Sequence, residues 1–439
     1  MLYKYLQQLE DTGEIMMKAN SKILVIQGGE KLNGTVAING SKNAALYAIA
    51  ASLLTEDEVT YYNVPEISDI LSMKQILQSL GAKINATSEY VKICAANINK
   101  TSLSKDLSIK LRASILVLAP LLAKHGKVDC FLPGGDDIGE RPIDIHIDGL
   151  NKLGAKVNIE GNKLIASVDN FVANKIVFDY PSVLGTINLL FAACTASGDT
   201  QLENVATEPE VIMLIDMLNK MGADIQGSGS QTLLIHGVKK LHGTKVKVIP
   251  DRIEAGTLMM CIAATNGKGH LTNLAHDHMG SIIEKLRDAN INIIEEDDSL
   301  IIDASNKITP VNVQSVPYPG FPTDLQAPVA TLLTQASGLS VIHERVFDNR
   351  LLYIKEINLM GANIEVDNQK IYINGPSILE GKNIRALDVR AGAAAIIAGL
   401  IAKGETRISE LHHIDRGYSN IDFQLRTLGA NIIRMDTRS

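Results

Sequence analysis

Ile212-Met213-Leu214-Ile215-Asp216-Met217-Leu218, followed closely by Met221-Gly222-Ala223, is the stretch from which the architecture is read. Its apolar spacing is helical, and Gly222 stands where a helix stops by turning left-handed. The tripeptide Leu/Met-Gly-Ala recurs at Leu80-Gly81-Ala82, Leu153-Gly154-Ala155, Met360-Gly361-Ala362 and Leu428-Gly429-Ala430. A degenerate copy, Asp288-Ala289-Asn290, fills the one double-length gap, so the central positions step by 73, 68, 67, 72 and 68 residues. Self-similarity at a fixed period marks repeated structural units.

Each copy has the same neighbours. Downstream lies a strand pair with a polar turn, as in AKVNIEGNKLIASV or ANIEVDNQKIYING. Upstream lies a small-residue apolar segment: NAALYAIAASLL, ASILVLAPLLA, TINLLFAACTA, AGTLMMCIAAT, APVATLLTQAS and AGAAAIIAGLIA. Helices apolar on every side belong inside a core. The expected unit is buried helix, strand, loop, second helix, Gly stop and β-hairpin. Six units, three per domain, make an α/β protein. The crossover between domains is expected near the charged stretch from Lys239 to Asp251. The first 22 residues fall outside the repeat and read as an N-terminal extension, with Met16 or Met17 an alternative start.

The 439 residues carry 42 Lys and Arg against 49 Asp and Glu, a net charge of −7. That balance argues against a dedicated nucleic-acid binder, which needs a basic excess. The longest apolar run, Ala391 to Ala402, is about half of a membrane span. The N-terminus lacks the apolar core of a signal peptide. The four cysteines show no metal spacing, which fits a reducing compartment. These features predict a cytoplasmic protein with neither membrane nor nucleic acid as partner; of the oligomeric states, a monomer is favoured.

Charged residues recur at the starts of the apolar helices: Lys42-Asn43, Arg112, Arg252 with Glu254, Asp324, and Asp388 with Arg390. Helix N-termini present unpaired N–H groups and suit anions, and adjacent Lys and Arg compound the effect. Gathered around one cleft, six such termini would hold a phosphorylated, carboxylated ligand. The most distinctive loop, Pro133-Gly134-Gly135-Asp136-Asp137-Ile138-Gly139-Glu140-Arg141-Pro142, reads either as a lid or as a solvated acidic turn.

Several motifs, taken in order, resemble the enolpyruvyl transferases. They are Ser41-Lys42-Asn43-Ala44-Ala45-Leu46, Leu111-Arg112-Ala113-Ser114, the loop from Pro133 to His146, and Thr207-Glu208-Pro209-Glu210. Pro250-Asp251-Arg252-Ile253-Glu254-Ala255-Gly256-Thr257, Gly320-Phe321-Pro322-Thr323-Asp324-Leu325-Gln326, Asp348-Asn349-Arg350, Asp388-Val389-Arg390-Ala391 and His413-Ile414-Asp415-Arg416-Gly417-Tyr418 complete the set. The Asn-Ala-Gly-Thr-Ala motif of the shikimate-phosphate branch is absent. The resemblance implies a two-domain inside-out α/β barrel of six βαβαββ-type repeats. Its first domain would comprise 23–41 with 251–439, and its second 42–250 with the Pro133–Arg141 loop.

The implied activity moves the enolpyruvyl group of phosphoenolpyruvate to the 3′-hydroxyl of UDP-N-acetylglucosamine, releasing phosphate without any cofactor or metal. Lys42, Arg141 and Arg416 would grip the phosphate of phosphoenolpyruvate, and Arg350 and Arg390 its carboxylate. Arg112 would contact the nucleotide phosphates, and Asn43 would orient reacting groups. Asp324 would be the general base, with Asp388 assisting proton movement and Asp136 serving as acid or product-release gate. Asp144, Ile145 and His146 would line the uracil pocket, Ser182 and Val183 would lie near the diphosphate, and Pro142 and Val346 would complete the substrate contacts. Asp136 stands where the family usually has Cys, which implies resistance to the epoxide fosfomycin. Leu184 and Ile187 replace a Gly and a Glu of the family's Pro-Ser-Val-Gly-Ala-Thr-Glu-Asn. A paralogous transferase for another uridine nucleotide, or an inactive nucleotide-sugar binder, are the alternatives.

Overall fold

A computed structural model describes residues 22–135 and 142–436. Six buried helices organise it: α1 (Lys42–Ala51), α2 (Leu118–His125, entered through the 3-10 turn Arg112–Val117), α3 (Val183–Ala193), α4 (Arg252–Ala264), α5 (Gln326–Leu333) and α6 (Val389–Ile401). Every residue of α6 from Val389 to Leu400 is buried. Ile396 and Ile397 alone each contribute about 2–3 kcal/mol of apolar burial. Helices α4, α5 and α6 pack on one another. Small residues allow this: a Cβ on Gly256 of α4 would stand 2.4 Å from the side chain of Leu325, the N-cap of α5.

The strands form six open sheets among the described residues, five of four strands and one of three. Five contain a hairpin; in the sixth, Lys22–Gln27 from the other end of the chain pairs antiparallel with Asn431–Asp436 in its place. The strand order runs, for example, Lys245–Lys247, Glu58–Tyr62, Tyr90–Cys94, Lys83–Ala86. Among the described residues, no sheet closes on itself into a barrel.

The Gly stops behave as chirality requires. Gly81, Gly154, Gly222, Gly361 and Gly429 all have positive φ, between 93° and 116°. In the degenerate copy the left-handed residue is Asn290, with φ 67°, while Ala289 is a helical C-cap. The left-handed stop there lies one residue beyond the central position of the sequence repeat, Ala289. Asn enters the left-handed region more readily than other residues with a Cβ, and here its amide donates to the Lys307 carbonyl at 3.0 Å.

Buried apolar side chains fall into two clusters. One draws on residues 44–248; the other on 24–38 together with 253–432. Two early strands join the late part of the chain. Lys22–Gln27 lies between Glu405–Ser409 and Asn431–Asp436, antiparallel to both. Asn33–Ala37 runs parallel to Lys268–Thr272. The chain passes between clusters twice, side by side: Gly40 bridges Pro250, Ser41 N–H donates to the Ile249 carbonyl (2.7 Å), and Asp251 N–H donates to Asn39 (2.8 Å). Asp251 caps α4 through Ile253 and Glu254 N–H and also accepts the Lys42 N–H at 2.9 Å. The starts of α1 and α4 are thereby tied together.

Candidate active site

The starts of the six buried helices, or the turns that lead into them, line one cleft of about 530 Å³. Its wall takes Lys42 and Asn43 from α1, Arg112 from the turn before α2, Ser182 and Val183 from α3, Arg252 from α4, Asp324 from the turn before α5, and Arg390 from α6. Ser182 caps α3 by accepting the Gly185 N–H at 3.2 Å. Pro142, Ile145, His146, Val346, Arg350 and Arg416 also line it. Asp136 and Arg141 lie outside the described residues.

Cations and carboxylates face each other in sets. Asp324 receives Arg350 at 2.7 Å on one oxygen and Arg390 at 2.6 Å on the other. Burial alone would raise the Asp324 carboxyl, but the two guanidinium groups win and hold it far below the usual carboxylate range. Arg390 is pushed up in turn, against its own desolvation, chiefly by Asp324. Asp69, from the helix Ser68–Leu80, accepts Lys42 at 2.9 Å and Arg416 at 2.9 Å. Those charges outweigh its burial and lower it. Ser68 also donates through its N–H to the Asp415 carbonyl at 3.1 Å, so the two clusters meet here. Glu210 forms a third pair, taking Arg252 on both oxygens at 3.0 and 3.3 Å.

His146 is buried, its Nδ1 3.0 Å from the Asn188 amide nitrogen. Desolvation, aided by Arg112, pushes it down to about 3, so the ring is neutral. Asn188 also donates to the Ile115 carbonyl at 3.1 Å, fixing this wall to the turn before α2.

Two expected site residues stand elsewhere. Asp144 begins the helix Asp144–Lys152, exposed and off the cleft wall. Asp388 caps α6, one of its oxygens accepting both Arg390 N–H (2.7 Å) and Ala391 N–H (3.0 Å). Conversely, Asp69, Tyr47, Glu208, Glu210 and Tyr318 carry no individual role in the sequence reading but line the cleft, as does Arg252, one of the helix-start charges. Glu208, Glu210 and Arg252 fall within quoted motifs and were legible as candidates. Asp69 carries no local signal, since its partner Arg416 is 347 residues away.

A family model described as EPSP synthase (3-phosphoshikimate 1-carboxyvinyltransferase) matches residues 26–425. A UDP-N-acetylglucosamine 1-carboxyvinyltransferase of Desulfosudis oleivorans is 43% identical over 412 residues, covering 94% of this chain and 99% of the relative. UDP-N-acetylglucosamine 1-carboxyvinyltransferase 2 of Clostridium tetani is 42% identical over 414 residues, with the same two coverages. In fold, the enolpyruvyl transferase NikO from Streptomyces tendae superposes with a TM-score of 0.86 at 23% identity, covering 94% of this chain and 99% of its own. EPSP synthase from Acinetobacter baumannii does so at 0.74 and 17%, with equal coverage. With its fold, its cation-lined cleft and relatives aligned along nearly their whole length, the chain belongs to the enolpyruvyl (carboxyvinyl) transferase family, in the branch of the UDP-N-acetylglucosamine 1-carboxyvinyltransferases, and is a transferase.

Proposed function

We propose that this enzyme transfers the enolpyruvyl group of phosphoenolpyruvate to the 3′-hydroxyl of UDP-N-acetylglucosamine with release of phosphate, a reading supported by relatives named UDP-N-acetylglucosamine 1-carboxyvinyltransferase. One observation carries the reading: the cleft contains two separate pairs of cations, each bridged by a carboxylate of the protein. Lys42 and Arg416 share Asp69, and Arg350 and Arg390 share Asp324. Phosphoenolpyruvate has two anionic groups. Its phosphate suits the first pair and its carboxylate the second.

In the resting site Asp324 is a poor base, because both guanidinium groups stabilise its charge. When the substrate carboxylate takes over Arg350 and Arg390, Asp324 loses that stabilisation and its proton affinity rises. It then accepts the proton of the attacking hydroxyl. Oxygen adds to C2, C3 gains a proton, and elimination expels phosphate from the tetrahedral adduct. Cations already aimed at the developing charge supply the electrostatic stabilisation. Asp388 acts by fixing the start of α6, and so Arg390. Asn43 orients the reacting groups, and Arg112 takes the nucleotide phosphates beside Ser182 and Val183. His146 and Ile145 form the base pocket. Arg141 adds to the phosphate grip, and Asp136 gates product release.

The two apolar clusters and the paired crossings at 39–41 and 249–251 support a division into two three-unit domains, 23–41 with 251–439 and 42–250. The recurrence of buried helix, Gly or Asn stop and hairpin supports the six-repeat, helix-inside architecture.

The test is phosphate release on mixing the protein with both substrates, which is expected to require each of them. One observation favours a second reading: Leu184 projects onto the cleft wall beside Ser182 and Val183. A different uridine nucleotide would then be the better acceptor, and comparing kcat/KM across UDP-sugars and free uridine nucleotides separates the two.

A further inference from the structure

Two of the sequence motifs contain residues that the reaction above leaves without a role: Gly256-Thr257 of α4 and Gly417-Tyr418. Both meet at Arg390. Among the described residues, the Arg390 guanidinium donates to two groups: Nη2 to Asp324 at 2.6 Å, and Nη1 to the Tyr418 hydroxyl at 3.1 Å. Tyr418 is 1% exposed, and its oxygen also lies 3.0 Å from Oγ1 of Thr257, which is fully buried. The hydrogens of this chain are fixed by count. Arg390 has only donors, so the Tyr418 oxygen accepts from it. Thr257 gives its one hydrogen to the Ile253 carbonyl at 2.8 Å. Tyr418 therefore donates to Thr257 and keeps a lone pair aimed at Arg390. Burial raises the phenol above its usual range, against the pull of Arg390 and of the Thr257 bond, so the hydrogen stays in place. The turn is packed to match: a Cβ on Gly417 would stand 2.3 Å from the Val389 side chain and 3.8 Å from Arg390 Nη1.

Arg350 is held in the same manner. Its Nη1 donates to Thr323 Oγ1 at 2.9 Å, and Thr323 gives its own hydrogen to Glu344 at 2.8 Å. Each guanidinium thus has one arm on the shared carboxylate of Asp324 and the other on a hydroxyl whose hydrogen is committed elsewhere. The arms on Asp324 are the ones that a substrate carboxylate takes over. The arms on the hydroxyls stay.

We propose that Tyr418 is a positioning residue for phosphoenolpyruvate: its hydroxyl holds the Arg390 guanidinium in the carboxylate-binding orientation once Asp324 lets go. This rests on the substrate pair argued above. Tyr418 is not on the cleft wall, so it acts through Arg390. Without the hydroxyl, Arg390 stays charged and buried but turns to find another acceptor. Part of the substrate's binding energy then goes into restoring its orientation. Tyr418 follows Arg416 by two residues, so one turn both delivers the phosphate-side cation and steadies the carboxylate-side one.

The experiment compares the unaltered enzyme with Tyr418→Phe, Thr257→Val, Thr257→Ser and the double variant Tyr418→Phe/Thr257→Val. It measures phosphate release with each substrate varied in turn, and UDP-N-acetylglucosamine binding by calorimetry. Phosphate release by the unaltered enzyme establishes the substrate pair, so failure there overturns that reading and is seen before any variant is compared. Tyr418→Phe keeps the ring, whose centre lies 5.6 Å from the guanidinium carbon, and removes only the hydroxyl. It is expected to raise KM for phosphoenolpyruvate about tenfold, the weight of one hydrogen bond to a charged group, with kcat within about threefold. UDP-N-acetylglucosamine affinity stays as it was. Thr257→Val raises the same KM by less, and Thr257→Ser, which keeps the acceptor, leaves it near the unaltered value. The double variant is no worse than Tyr418→Phe, because Thr257 acts through Tyr418. An unchanged KM for phosphoenolpyruvate in Tyr418→Phe overturns the assignment. So does an equal loss towards both substrates, the mark of general loosening, or an additive double variant. Should Tyr418→Phe not fold, the contrast between Thr257→Val and Thr257→Ser decides the matter through the same KM.

Discussion

Asp324→Asn is the perturbation that most directly probes the paired-cation reading. An amide is the same size as the carboxylate, but its oxygen can satisfy only one of the two guanidinium groups. Its NH₂ then faces the other. Arg350 and Arg390 are 6% and 7% exposed, and Asp324 is 25% exposed on its cleft side. Breaking a buried ion pair costs about 3–5 kcal/mol, and the water-facing side of Asp324 puts the figure near the lower end, about 3 kcal/mol. The variant should therefore melt well below the unaltered protein in phosphate-free buffer. It should also regain stability steeply on adding inorganic phosphate, because the freed guanidinium pair now attracts an external anion. Saturation at 100 times Kd restores about 2.7 kcal/mol. Turnover should fall by about 10² to 10⁴ while UDP-N-acetylglucosamine binding persists. Thermal melts across a phosphate series, calorimetric nucleotide binding and steady-state phosphate release give the three readouts. Near-normal turnover, or a phosphate-induced stabilisation no larger than in the unaltered protein, would refute the reasoning.

Arg416→Ala should raise KM for phosphoenolpyruvate with less effect on nucleotide-sugar binding, since Lys42 still neutralises Asp69 but one phosphate contact is gone; an unchanged KM removes Arg416 from that pocket. Glu254, which accepts Asn39 N–H at 3.0 Å and Gln424 Nε2 at 2.7 Å beside the domain crossing, is raised by burial, and by Asp251, to about 7. Its folded value exceeds its unfolded one, so its contribution is fully present below the ordinary carboxylate range and is lost as pH rises through about 7, a decline of about 3 kcal/mol. Glu254→Gln should flatten that part of the stability–pH curve measured by denaturant melts between pH 5 and 8, and a parallel slope in both proteins counts against it. Asp136→Cys should convert a fosfomycin-resistant enzyme into one inactivated with time, because a thiolate opens an epoxide far faster than a carboxylate does. Continued resistance of that variant, or rapid inactivation of the unaltered enzyme, refutes the expectation.

Much of the fold is a local property of the chain, and the sequence by itself determined it. The six apolar segments are buried helices because nothing on any side of them is polar enough to face water. The Gly stops fall at Gly81, Gly154, Gly222, Gly361 and Gly429 because only a residue without Cβ enters the left-handed region freely. Where that cue weakens, as at Asn290, the reading slipped by one residue. The charges at the helix starts were legible for the same local reason. Their meaning was not. That Asp69 joins Lys42 to Arg416, that Arg390 reaches Asp324 across 66 residues, and that Arg252 is engaged by Glu210 are outcomes of long-range packing. So is the turning of Asp388 into a helix cap and the exclusion of Asp144 from the cleft. Helix periodicity and glycine chirality act within a few residues and leave a pattern in the sequence. An ion pair between distant segments leaves none, because each partner alone looks like any surface charge until the sheets and helices bring the two within 3 Å.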